Sequence, residues 1–379
     1  VPAAFDPAVL AADPGPRADV LAALNGALAA ADPAAAVRRH LSLGRRGLAV
    51  GRSRMPVPKG RVVILAFGKA APAMAAAALE VLGSLPVSGA VVSPSGSAVG
   101  PLEGLAGSHP IPDAGSLRAG HRLLALAGEA GRHDLVLALV SGGGSALAEV
   151  PRAGLVLEDL AEVNRALWRS GAPIIAVNTV RRHLSAFKGG RLAAAATPAR
   201  LATLILSDVV GSPLEAIAGG PTVPDPTTSA DALEALRRWE APAPPQVLAA
   251  LEAGRADGSA PLAGERPPST APVVVVADGA AAAAGATAAA QERGLTARVV
   301  STALEGEARV VGRRLAEAAR RLSPGEMAVF AGETTVTVTG AGRGGRNQEV
   351  ALAAGLALEE SPADVLVASF ATDGVDGPT

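Results

Sequence analysis

Positive side chains set among runs of glycine are the groups in this sequence that could do chemistry, and the chemistry they suit is the handling of an anion. "GAGRGGRNQEVALAAG" (residues 340–355) puts Arg343 and Arg346 into a glycine-rich bend that runs into an alanine-rich helical pattern. "SGGGSAL" (141–147) follows an apolar run and leads into a second helical pattern. Its glycines let several N–H groups point at one place, and a helix start adds its positive end. Ser141, Gly142, Gly143, Gly144 and Ser145 are therefore candidate ligands of a phosphate or carboxylate; a flexible strand-to-helix turn is the plainer alternative. "GKAAPAM" places Gly68 and Lys69 at the mouth of another helix. Lys69 could reach the same anion as a mobile point charge, or be a solvated surface residue.

Arg346 in the first turn of a helix is electrostatically out of place, because the macrodipole already makes that end positive. A bound anion would repair the mismatch, and so would a nearby carboxylate such as Glu333 or Glu349. Gly340, Gly342 and Gly345 spell GxGxxG, but a dinucleotide fingerprint also wants an acidic residue at the end of the next strand. Here that stretch ends in Ser369 and Phe370. Asp208 after "TLILS", and Asp373 and Asp376 in "ATDGVDGPT", are carboxylates of the kind Mg²⁺ takes one or two at a time beside phosphate oxygens and water. A solvated Asp-Gly turn competes with that reading. "RRHLSAFKGGRLA" (181–193) sets Arg182, Lys188 and Arg191 in or beside a helix, and His109 stands in the Pro-stiffened "SHPIPDAGS"; a solvated face and a structural histidine are the alternatives. GxxxxGK[ST], the protein-kinase motif set and a GxSxG elbow are all missing, and there is no cysteine for a thiolate nucleophile or metal site.

Such loops need strands to hold them. Short β-branched runs alternate with longer Ala/Leu segments, which predicts an α/β fold with parallel strands and crossover helices. Strands are expected at 61–67, 89–93, 134–140 and 201–207, then at 272–277, 296–301, 327–331, 334–339 and 364–370. "TTVTVT" (334–339) has the period of an antiparallel or edge strand, so the second sheet is expected to be mixed. The map is an N-terminal α/β domain over 1–240, a Pro/Gly/Ser-rich linker over 241–270 and a smaller α/β domain over 271–379, with a helical pattern before residue 50 packed outside the first domain. A chain of 379 residues with 49% hydrophobic and 18% charged residues can bury two cores and is no disordered segment. Lys+Arg (34) balances Asp+Glu (35), which leaves no basic field for nucleic acid. No strongly apolar run is long enough to span a membrane, and the opening residues lack a secretory pattern, so cytoplasm is the default expectation.

In order along the chain stand "AFGKAAPAMA" (66–75), "HPIPDAGS" (109–116), "LVSGGGSALAEVP" (139–151), "VNTVRRHLSAFKGGRLA" (177–193), "LSDVVGSPLEAIAGGPTVPDPTT" (206–228), "AGETTVTVTGAGRGGRNQEVAL" (331–352) and "FATDGVDGPT" (370–379). Together they resemble the glycerate 2-kinases of the MOFRL family, for which hydroxypyruvate reductase is an older label. The resemblance implies a larger N-terminal Rossmann-like parallel sheet with flanking helices and a smaller C-terminal α/β domain. It implies transfer of the γ-phosphoryl of ATP, with Mg²⁺, to the 2-hydroxyl of D-glycerate, with Lys69 and Arg346 as the catalytic cations. On that picture the 141–145 turn, with Gly344 and Gly345, holds nucleotide phosphates; His109, Lys188, Arg191 and Asn347 are candidates for D-glycerate; and Asp208 and Asp373 are candidates for the metal. Ser212 stands where the family often has Asp, and Gly219 where Ser is common. The family runs on past "DGPT", so the second domain is expected to be incomplete at Thr379. A homodimer is kept as an option. Two other functions stay open: a nicotinamide-dependent hydroxypyruvate reductase, and an anion-binding protein without turnover.

Overall fold

The computed structural model describes residues 16–256, 271–340, 342–359, 361 and 365–377, which divide into two units. The larger comprises residues 36–207 and 212–276. It begins with a three-stranded antiparallel sheet, β1 (Leu41–Gly44), β2 (Gly47–Val50) and β3 (Ser53–Met55). The helical pattern expected before residue 50 therefore stops at His40, because glycines at 44, 47 and 51 punctuate the next stretch into two tight turns.

The main sheet contains β4 (Val62–Phe67), β5 (Val87–Ser93), β6 (Glu103–Ala106), β7 (Leu135–Val140), β8 (Arg200–Leu206) and β9 (Val273–Ala277), in the order β6-β5-β4-β7-β8-β9 among the described residues. Strands β4 to β8 pair in parallel. Every residue of β4 and β7 is buried, as unbroken apolar runs require when helices cover both faces. Two details depart from expectation. "EGLA" forms β6 although it carries no β-branched residue, and the valine run 273–277, expected in the second sheet, adds to the first beside β8. The Thr203 N–H donates to the Pro272 carbonyl at 2.8 Å, anchoring that edge. Helices Leu157–Arg169, Ile174–Leu184, Ser229–Arg238 and Pro245–Ala256 contribute to a separate apolar cluster around Leu167, Val180, Leu236 and Leu251. The first part of the expected linker thus belongs to this unit; residues 257–270 lie outside the described ones.

The smaller unit comprises residues 16–35, 208–211 and 277–377 as far as described. Its strands β10 (Thr296–Glu307) and β11 (Glu326–Thr335) pair in parallel, where a mixed sheet was expected. The two runs expected as separate strands are one, ending at Thr335. Beyond it the Glu307 carboxylate takes the Thr337 N–H at 3.0 Å and hydroxyl at 3.1 Å, so the alternating threonines are held by a side chain instead of a ladder. Residues 365–370 are not a strand, and Asp364 lies outside the described residues. Helix Pro16–Ala31, expected on the outside of the first domain, instead packs on helix Gly279–Glu292 here. The alanine-rich faces allow this because they meet at two glycines: a Cβ on Gly26 would stand 2.5 Å from the Gly285 carbonyl oxygen. Among the described residues no single helix is long and apolar enough to cross a membrane.

Gly26→Ala would raise helix propensity by up to about 1 kcal/mol in an exposed helix. Here it is expected to destabilise the smaller unit by about 1–3 kcal/mol through overpacking. Calorimetric unfolding of variant and parent checks this; equal or greater stability in the variant would refute the close crossing.

Candidate functional site

Strand order creates the first site. The chain runs outward from β4 through β5 to β6, then returns to place β7 on the other side of β4. Crossovers leave in opposite directions there, opening a crevice at the carboxyl ends of β4 and β7, the usual place for a ligand in such sheets. The residues at that point are Gly68 and Lys69 after β4, and Ser141 to Gly144 after β7. Backbone bonds lock the two loops together: Ser141 N–H to the Phe67 carbonyl at 3.1 Å and Lys69 N–H to the Gly142 carbonyl at 2.9 Å. The Ser141 hydroxyl accepts the Ala70 N–H at 3.1 Å, so this serine is a structural brace.

Gly143 is in the left-handed region at φ +80°. A Cβ there would stand 3.1 Å from His109 Cδ2 and 3.4 Å from Lys69 Cγ. Lys69 and His109 thus flank the same bare turn, as an anion cradle needs. The helix that follows, Gly144–Leu147, is a single turn. It adds little dipole, so the positive character expected at this end rests on Lys69.

Of the other cations the sequence singles out in this unit, Lys188 and Arg182 are buried and Arg191 is partly buried. Lys188 is 1% exposed and its ammonium is paired with the Glu149 carboxylate. Burial pushes its pKa down to about 8, against the pull of Glu149. Arg191 donates to the carbonyls of Arg182 at 3.1 Å and Lys188 at 2.9 Å. Arg182 donates through Nε to Asp225 at 2.9 Å. His183, beside the same carboxylate, is held down to about 4 by burial.

In the smaller unit Arg346 opens helix Arg346–Leu358. Its guanidinium donates to Glu333 at 2.7 Å, one of the two carboxylates expected as alternatives to a bound anion. Asp376 supplies the charge the helix start wants: its carboxylate accepts the N–H groups of Asn347 and Gln348, each at 2.9 Å. Asp376, whose Asp-Gly setting suggested a metal ligand, thus has a place as a helix cap. The Asn347 amide is engaged as well, donating to Asp376 at 2.9 Å and accepting from the Ser369 hydroxyl at 2.7 Å. Gly344 and Gly345 lie in the loop just before this helix.

Glu333 shows whether a divalent cation fits here. Burial pushes its carboxyl up, Arg346 pulls it back, and the charges of Asp208 and Asp373 push it up again. The carboxylates of Glu333, Asp208 and Asp373 thus bear on one another's charge beside Arg346. Among the described residues no group of three or more His, Asp or Glu side chains could hold a metal. The fit is thus to an ion that takes one or two carboxylates and completes its shell with phosphate oxygens and water, as Mg²⁺ does. Glu149 and Arg181 went unread in the sequence because each stands in an apolar or helical run; Glu149 gains its meaning from the buried pair with Lys188, and Arg181 from its donation to the Ser145 carbonyl at 3.3 Å. Glu333 was seen only as a partner for Arg346.

Residues 19–252 match a domain of unknown function, DUF4147, and residues 326–379 match the MOFRL family. The chain is 40% identical to the D-glycerate 2-kinase of Thermotoga maritima over 84% of its length and 76% of the relative's. An Agrobacterium vitis protein named only provisionally, as a hydroxypyruvate reductase, is 42% identical over 84% of this chain and 74% of its own. The crystal structure of glycerate kinase from Thermotoga maritima superimposes with a TM-score of 0.79 at 37% identity, covering 94% of this chain and 83% of that one.

Burial pushes the Asp376 carboxyl up, but N–H donation from Asn347 and Gln348, together with the Arg346 charge, outweighs it and its pKa is lowered. Its stabilising effect is complete above the unfolded carboxyl value of about 4 and is lost as the pH falls through the folded value. Asp376→Ala is expected to cost about 1 kcal/mol at pH 7, the usual worth of a cap, and progressively less in acid. Unfolding curves at pH 7 and pH 3 check this; an equal cost at both would show that the carboxylate charge is irrelevant.

Proposed function

This chain belongs to the MOFRL family of glycerate 2-kinases, and from that premise we propose that it transfers the γ-phosphoryl group of ATP to the 2-hydroxyl of D-glycerate, giving 2-phosphoglycerate and ADP. The observation that carries the reading is the placement of Lys69 and His109 against the bare Gly143 turn, at the switch point of the sheet. Phosphoryl transfer passes through a loose, highly anionic transition state. The protein has little covalent chemistry to perform, and what it needs is positive charge and N–H donors already in place.

In the step, the 2-hydroxyl oxygen forms the new bond to phosphorus and the bond from phosphorus to the β–γ bridging oxygen breaks. ADP leaves with the electron pair, and the hydroxyl proton is released. We assign Lys69 to the developing charge, the N–H groups of Gly142, Gly143 and Ser145 to phosphate oxygens, and His109 to the glycerate carboxylate or hydroxyl. Arg346 is assigned as the second catalytic cation. Its pair with Glu333 is 40% and 42% exposed, and surface pairs are worth only about 0–1 kcal/mol, so a phosphate can displace the carboxylate. Mg²⁺ supplies charge neutralisation on the triphosphate when bound, and Asp208 and Asp373 are the side chains we assign to hold it.

Incubation with ATP, Mg²⁺ and D-glycerate, followed by ³¹P NMR, is expected to show 2-phosphoglycerate. The 3-isomer would overturn the choice of hydroxyl, and NADH oxidation by hydroxypyruvate without ATP would overturn the kinase reading. Lys69→Ala is expected to lower kcat by about 10²–10³, as loss of one preorganised charge donor does, with an unchanged circular dichroism spectrum. Wild-type turnover in that variant would remove Lys69 from the mechanism.

A further inference from the structure

Lys188 takes no part in the transfer step, yet it is among the largest side chains that are fully buried. Its ammonium is paired with Oε2 of Glu149, itself 2% exposed. The other Glu149 oxygen accepts the Ser185 hydroxyl at 2.6 Å and the Val150 N–H at 3.1 Å. The Ser185 oxygen in turn accepts the N–H groups of Phe187 and Lys188, both at 3.1 Å. Glu149 lies two residues beyond helix Gly144–Leu147, so this network ends on the segment that leaves the anion turn.

A second set of contacts reaches the turn itself. Residues Ala218, Gly219 and Gly220 are all left-handed, at φ 52°, 77° and 61°. Such a run is strained at the alanine and must be held from outside. Two backbone bonds hold it, from Gly189 N–H to the Gly219 carbonyl at 3.0 Å and from Gly190 N–H to the Gly220 carbonyl at 2.8 Å. Gly219 lies directly on the lysine stem: a Cβ there would stand 2.5 Å from Lys188 Cδ. Its neighbour Ala218 lies against the anion turn, with the Ala218 Cβ 3.1 Å from where a Gly144 Cβ would be. Arg181 closes the set by donating to the Ser145 carbonyl at 3.3 Å.

We propose that Lys188 and Glu149 are a positioning pair, which holds the Ser141–Ser145 turn against the Ile217–Gly220 turn at the height Lys69 requires, and that Lys188 does not bind the substrate carboxylate. The kinetic part of this rests on the kinase reading above. Breaking a buried pair leaves one uncompensated charge, whereas replacing both partners with apolar side chains is often neutral. A ligand of the substrate behaves differently, since no second change inside the protein restores a lost contact with glycerate.

The test compares Lys188→Met, Glu149→Gln and the double variant Lys188→Met/Glu149→Leu, with circular dichroism as the check on folding. Lys188→Met is expected to lower kcat about 100-fold, the effect of a displacement of roughly 1 Å at a catalytic loop, with KM for D-glycerate within about threefold of wild type. The double variant is expected to regain about tenfold over that single variant. A KM for D-glycerate raised tenfold or more, with no regain in the double variant, would overturn the proposal. If the single variants do not fold, the double variant decides alone: an unchanged KM supports the pair and a raised KM defeats it. Amide exchange over residues 141–150 gives a readout independent of turnover, expected to be about tenfold faster in Glu149→Gln, since a freed turn opens more often. Unchanged exchange counts against positioning. Absence of phosphoglycerate in the wild type would defeat the function reading and leave the exchange result to judge the pair.

Discussion

The larger unit depends on one constraint, the reversal of strand order at β4. A chain that steps outward in one direction and then resumes on the other side leaves a crevice at the carboxyl ends of β4 and β7, even though helices cover the faces of the sheet. Whatever follows those two strands becomes the lining of that crevice. In register, Phe67 lies opposite Val140, so both strands end at the same level and their loops can bond to each other. The lining is glycine-rich because the loops approach within backbone distance. Its positive charge at the glycine turn comes from Lys69, since the helix that follows the glycines is too short to help.

Several charges elsewhere in the molecule are neutralised locally, which lets a nearly neutral chain carry cations at glycine-rich turns without a global field. Glu333 answers Arg346, Asp376 answers the start of helix Arg346–Leu358, and Glu149 answers Lys188. These pairs differ in kind. The Arg346 pair is half in water, so it costs little to exchange for a phosphate. The Lys188 pair is sealed, and separating it would strand a charge at a cost of several kcal/mol. Exposure therefore sorts the cations that are available for chemistry from those that serve the frame, although both look alike as letters beside glycines.

The same distinction explains what was legible in the sequence. The buried strands β4, β7 and β8 were readable because continuous apolar runs bounded by glycine and aspartate have one comfortable solution. The glycine-rich loops of the candidate site were readable because each follows such a strand. What escaped depends on partners distant in sequence. The valine run at 273–277 looks the same whichever sheet receives it. "EGLA" becomes β6 only because an edge was available beside β5. The threonine alternation at 334–339 promised a strand, but a single carboxylate, Glu307, captured Thr337 first. Lys188 was legible as a cation near glycines and illegible as a buried one, because the residue that neutralises it lies 39 positions away.

The crossing of helix Pro16–Ala31 on helix Gly279–Glu292 has a consequence for biosynthesis. The smaller unit is discontinuous: one of its helices leaves the ribosome roughly 250 residues before its docking partner, on the order of tens of seconds at ordinary elongation rates. During that interval the intervening larger unit can complete its own sheet while the early helix waits, its alanine face uncovered. Chaperone capture in the nascent state is thus predicted to focus on that face, and a permuted gene that makes the two helices neighbours in sequence should shorten the vulnerable period.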